Sequence, residues 1–212
     1  MLGVVNDAAE LLHFWLGKLD CGMADEVHRA RWFTSDPNFD DKYRRFIPWL
    51  KAAASGGLHE WHKTPHAMLA LIILCDQIPR NSFRGTADAF GYDSIALQAA
   101  MEGVNSGIDR MLCWDERSFF YMPFQHSERI IDQHLAVGLF TSLRDEAPKH
   151  LRGALGNNLR SAQQHRDIIL RFGRFPHRNH ALRRVSSNAE QQFLEHNNGF
   201  GQKGKQWVQQ RT

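Results

Sequence analysis

The 212-residue sequence predicts an all-α fold, several helices wrapped around one central apolar helix. Three observations predict it. Apolar residues recur at helical spacing in segment after segment, the run from Ala67 to Cys75 is apolar on every side, and no two segments alternate apolar with polar residues as paired strands do. With 42% hydrophobic residues, among them 14 Phe and 6 Trp, the chain can bury a substantial core. One helical domain is expected over residues 1–197, followed by a flexible Gly-, Gln- and Lys-rich tail over 198–212.

Each element has its own signal. Leu11, Leu12, Phe14 and Trp15 mark the inner face of a helix over 8–15, and Val27, Ala30 and Phe33 mark a second over 24–33. Ser35-Asp36-Pro37-Asn38 breaks that helix. Asp40 or Asp41 can cap a third through Tyr43, Phe46, Ile47 and Leu50, which Pro48 kinks or splits and Ser55-Gly56-Gly57 ends. Thr64-Pro65 sets an N-cap beside the residue best suited to a first helical position, so the central helix spans about 65–77. Thr86 caps a helix over about 87–101. The stretch 114–123, rich in aromatics and poor in helix signals, predicts a loop. Ser127 caps a helix to about residue 143, Pro148 opens a long one to about 172, and Ser187-Asn188-Ala189-Glu190 has capping-box form before a last helix carrying Phe193 and Leu194.

Several function classes lose support. A nine-residue apolar run is far shorter than a membrane span. Without a basic leader, and with three widely spaced cysteines (Cys21, Cys75, Cys113) that form no CxxC, the chain is expected in reducing cytoplasm. Residues 141–212 carry 13 Lys+Arg against 5 Asp+Glu, whereas residues 1–140 carry 13 against 18. No nucleic-acid recognition motif accompanies that basic half, so packing of one half on the other is the simpler expectation. No P-loop, G-x-S-x-G elbow or strand-linked G-x-G-x-x-G appears, and no cofactor is expected.

The chemistry gathers in three polar segments: Asp76 to Asn81, Met122 to Glu128, and Phe172 to Asn179. Asp76 follows nine apolar residues, so a dry carboxylate there requires a cationic partner, with Arg80, Arg84, Arg174 and Arg178 as candidates. His126 and Glu128 have the ingredients of an acid–base pair. His165 shares an apolar stripe with Leu155, Leu159, Ala162, Ile169 and Phe172 and should face inward. His126, Glu128, His165 and His177 lack the spacing of a metal site, and the nearby arginines favour an anion over a cation. The expected site therefore comprises Asp76, Arg80, Asn81, His126, Glu128, His165, Arg174, His177, Arg178 and Asn179, gathered at one end of the bundle, with no metal.

Three long motifs, from Trp61 to Thr86, RSFFYMPFQHSE over 117–128 and HRDIILRFGRFPHRN over 165–179, resemble the bacterial domain-of-unknown-function 924 family. HFWLG at 13–17, RWF at 31–33 and NAEQQFL at 188–194 fit it too. The resemblance implies a compact, tetratricopeptide-like fold of helix pairs and names no activity. Where the family usually reads Leu-Gly-Arg, this chain has Leu182-Arg183-Arg184, so the backbone after Asn179 is expected to turn differently.

Two functions remain open at this level, beside a purely structural role for the cluster. In one, the cluster is a pocket for a small anionic molecule: Arg174 and Arg178 hold the anion, a histidine moves protons, and Asp76 or Glu128 orients it. In the other, the protein is a scaffold with a groove lined by Trp32, Trp61 or Trp114 that binds a peptide or protein partner, and the cluster is internal cement.

Overall fold

Leu11, Trp15 and Leu16 bury one face of the first helix, α1 (Leu2–Leu16), in the computed structural model, which describes residues 2–32 and 42–196. A two-residue hairpin unforeseen from the sequence follows, β1 (Leu19–Asp20) pairing antiparallel with β2 (Met23–Ala24). Its turn places Cys21 at φ 48° and Gly22 at φ 81°, the two positive values a tight hairpin demands. Asp25 then caps α2 (Glu26–Arg31) by accepting from His28 N.

The inner face expected of α2 is overturned, since Val27 is 66% exposed and Ala30 is also exposed. Trp32 takes the interior position instead. Its ring lies 4.6 Å from that of Phe119, and its Nε1–H donates to Trp15 O. Phe33, the 35–38 break and the Asp40 or Asp41 cap lie outside the described residues.

The third helical pattern is split, as Pro48 foretold. A 3-10 turn over Arg44–Phe46 gives way to α3 (Ile47–Ala54), with Pro48 in its first turn, where the missing N–H costs least. Thr64 caps α4 (Pro65–Ser82), its hydroxyl accepting from Ala67 N, and every residue from Met68 to Asn81 is buried. This helix passes through Pro79 instead of ending near Gln77, with Phe83 N donating to Pro79 O to close the last turn. A 3-10 turn over Ala87–Phe90 follows Thr86, so α5 (Asp93–Ser106) begins later than expected.

The expected loop over 114–123 is a buried helix, α6 (Trp114–His126). A capping box starts it, Glu116 accepting from Cys113 N at 2.8 Å, and Asp115 through Gln125 are all buried. Then come α7 (Ile130–Glu146), α8 (Arg152–Phe172) and α9 (Asn188–His196). Ser127 terminates α6 and does not cap α7; its hydroxyl donates to Asp132 and accepts from Arg129 N. The residues after Pro148 form a turn before α8, and Gly173, at φ 68°, ends that helix. The Ser187–Glu190 capping box is present in both directions.

The fold is thus all-α apart from the short hairpin. The main core runs from α1 to the middle of α8, and a smaller cluster joins Ile168, Ile169 and Phe175 to Phe172 and Phe193. No helix among the described residues is long and apolar enough to cross a membrane.

Candidate functional site

Because α4 is buried from Met68 to Asn81, Asp76 has almost no access to water (1% exposed), and its charge must be met by protein groups. It is met three times. Arg80, one turn on, brings NH1 to 3.1 Å of Oδ1; His126 donates from Nδ1 to Oδ1 at 2.8 Å; and Gln77 Nε2 donates to Oδ2. Burial pushes the Asp76 carboxyl up, but Arg80 and then His126 outweigh it and hold the group well below the usual carboxylate range.

Asp93, at the start of α5, is the member that sequence reasoning missed. Arg80 grips it with both NH groups, at 2.8 and 3.0 Å, and Arg178 NH1 donates to the same carboxylate at 3.1 Å. Arg178 NH2 donates to His126 O, and its guanidinium lies over the rings of Phe90 and Phe175 at 4.6 and 4.8 Å. Burial lowers its pKa to about 10 against the pull of Asp93, so it stays charged at neutral pH. Two carboxylates and two guanidiniums therefore form one alternating network, and Arg178 joins the basic half of the chain to the acidic half.

The histidines sit in its dry margin. His165 donates from Nδ1 to Ser161 O, one turn back along α8, and its ring lies 5.9 Å from that of His126. Burial, then the proximity of His126, lowers its pKa to about 3. Burial likewise depresses His177, packed 5.3 Å from the Phe175 ring, well below the usual histidine value. His126 is also lowered by burial, although Asp76 opposes the shift. All three imidazoles are neutral at pH 7.

The remaining predicted residues brace this centre. Glu128 accepts from Phe175 N at 2.8 Å and from both NH groups of Arg184, which also donates through Nε to Asn179 Oδ1. Glu128 is thus turned to a guanidinium and a backbone amide, and no bond joins it to His126. Arg174 is held by Glu190 of α9 at 2.7 and 2.8 Å. Gln133 of α7 donates to Gln125 O and Ser127 O, satisfying the end of α6 and setting His126 between its anchors. No sequence signal marked Arg184, Glu190 or Gln133 as partners, because each acts across elements.

An open cavity of about 440 Å³ lies beside the network. Arg80, Asn81, His126 and His165 of the predicted set line it, joined by Arg84; Arg174 and Arg178 do not. Two guanidiniums and no carboxylate line it among the described residues. Gln125, 5% exposed, also lines it, and its Oε1 is buried without a hydrogen-bond donor among the described residues. With Nδ1 committed to Asp76, the remaining polar atom of the His126 ring is Nε2, a lone-pair acceptor in this tautomer. Trp61, offered above as a groove aromatic, is 1% exposed, and Trp32 is 9% exposed although its edge lines the cavity.

Residues 11–198 match the family described as bacterial protein of unknown function (DUF924). A solved structure of a protein of unknown function from Agrobacterium tumefaciens is similar to this chain at 36% sequence identity and a TM-score of 0.78, covering 92% of this chain and 99% of that one. No curated protein matches the chain.

Proposed function

The chain belongs to the DUF924 family, and from that premise we propose that the cavity beside Asp76 and His126 binds a small anionic molecule, with this pair positioned to move a proton on it. The reading includes tetratricopeptide-like antiparallel helix pairs around α4, in a single domain over residues 1–197. What carries it is the commitment of His126 Nδ1 to a buried carboxylate on the wall of a cavity that also presents Arg80 and Arg84. Asp76 fixes the tautomer, burial keeps the ring neutral, and a neutral imidazole with an available Nε2 is competent as a general base near pH 7.

The same observations redistribute the roles expected from sequence. Arg80 and Arg84 take the anion-holding role first given to Arg174 and Arg178. Those two serve as braces, and Asp93 balances the charge. The scaffold reading loses Trp61 as a docking aromatic, because that side chain is enclosed.

Calorimetric titration with inorganic phosphate, acetate and succinate tests the proposal. At least one should bind wild-type protein, and Arg84→Gln should weaken it about tenfold or more, as expected when a charge-assisted hydrogen bond is lost. Binding that is equal in wild type and variant, or absent for all three anions, would overturn it.

A further inference from the structure

Five carboxamide side chains are buried among the described residues: Gln77, Asn81, Gln125, Gln133 and Asn179. Four of them are held by the protein. Gln77 donates to Asp76, Asn81 to Gln77 O, Gln133 to Gln125 O and Ser127 O, and Asn179 to Ser186 Oγ. Gln125 is the exception. It is 5% exposed, its Oε1 is buried without a donor, and its side chain makes no hydrogen bond to the described residues.

The surrounding structure gives Gln125 a fixed place. Its carbonyl accepts from Gln133 Nε2 at 2.7 Å, and the next residue, His126, is tied to Asp76. The backbone is therefore pinned at the end of α6, and close packing restricts the side chain. That side chain borders the cavity of about 440 Å³, where Trp32, Met122 and Phe140 supply apolar wall. A buried acceptor left unpaired destabilises a fold, and an unbranched methionine at this position would avoid the cost. The cavity has room for the missing partner.

A carboxamide presents a donor and an acceptor side by side in one plane. Its full complement is an edge with the same two groups reversed, an N–H beside a C=O on one side, as in a primary carboxamide or a lactam. An open-chain secondary amide is trans, so its N–H and C=O point to opposite sides and it can satisfy only one of the two.

We propose that the cavity recognises its ligand by such an edge, a primary carboxamide or lactam that donates to Gln125 Oε1 and accepts from Nε2. Trp32, Met122 and Phe140 take the apolar body that carries it. The inference goes beyond the anion reading and draws nothing from the arginines, since it concerns a neutral group whatever charge the ligand bears elsewhere.

Benzamide and acetophenone test it. They match in ring and size and differ in one group, an amide NH2 against a methyl, so only the first can donate. NMR titration of isotope-labelled full-length protein gives both affinities and follows the side-chain NH2 signal of Gln125. Benzamide should bind about tenfold or more tightly than acetophenone, against the greater apolarity of the ketone, and should shift that signal. Gln125→Met should erase the preference without lowering the urea midpoint. Equal binding of the two probes, or binding of neither, overturns the inference and means that solvent satisfies Gln125. A preference that survives Gln125→Met overturns it too, as does a lowered midpoint, which would make the carboxamide a part of the fold. Acetate or phosphate binding decides the anion reading separately, so either proposal can fail while the other stands.

Discussion

His126 donates its Nδ1 hydrogen to Asp76 across fifty positions of sequence, at 2.8 Å from Oδ1, while Arg80 approaches the same carboxylate to 3.1 Å. The anion is buried between a neutral donor and a cation, and it draws α4 and α6 together. Asp76→Asn removes the charge and keeps the shape. Arg80 retains Asp93 as a partner, so the expected loss is about 3 kcal/mol, the low end for breaking a buried pair. Urea unfolding measures it. A change under about 0.5 kcal/mol, the size of an ordinary surface substitution, would mean that the pair contributes little to the fold.

The buried histidines set a pH dependence of definite sign. His126, His165 and His177 all have folded pKa values below the ordinary histidine value of 6.5, that of His165 at about 3. As pH falls below 6.5 the unfolded chain takes up protons that the folded chain refuses. Their contribution is therefore full above 6.5 and is lost as pH falls, for His165 across the window from 6.5 to about 3. Each such histidine adds a slope of up to about 1.4 kcal/mol per pH unit. Urea midpoints should fall steadily from pH 7 to pH 5, and His165→Gln should flatten the decline. A flat profile contradicts the buried neutral state.

Much of this arrangement is legible in the sequence where the signal is local. Thr64-Pro65 and the all-round apolar run mark α4, and the same run makes Asp76 an anomaly that demands a cation. The stripe through Leu155, Leu159 and Ala162 turns His165 inward. The α6 helix escaped because its signals conflict. It is buried on every face, so no periodic stripe distinguishes it; Pro123 sits inside it; and its capping box begins with Cys113 instead of Ser or Thr. Asp93 escaped for another reason. It meets Arg80 from 13 positions away and Arg178 from 85, and only the packed fold brings them together. The same holds for the cavity and for the Glu128–Arg184 brace.

Gly103 of α5 packs closely against α6 and α4. A Cβ built there would come within 2.3 Å of Phe120 Cζ and 2.8 Å of Met68 Sδ. The Met68 thioether can yield, but Phe120 is fully buried and has nowhere to go. Gly103→Ala should therefore destabilise by about 1–3 kcal/mol through overpacking, reversing the gain of up to about 1 kcal/mol that alanine brings to an open helix site. Thermal unfolding reads the sign directly; a stabilised variant would show that α4, α5 and α6 can separate at little cost.

Arg183 takes the left-handed form in the turn after Asn179, at φ 54°. A residue with a Cβ is strained there. Arg183 is exposed, whereas its neighbour Arg184 is the residue that reaches Glu128, Phe175 O and Asn179. The conformation at 183 thus serves the position of 184. A left-handed non-glycine residue costs about 1–2 kcal/mol, and glycine returns part of that by loosening the unfolded chain. Arg183→Gly should raise stability by about 0.5–1 kcal/mol, whereas Arg183→Val, branched at Cβ, should lower it. Urea unfolding of the two variants separates them, and a destabilised glycine variant would mean that the arginine side chain itself contributes to the turn.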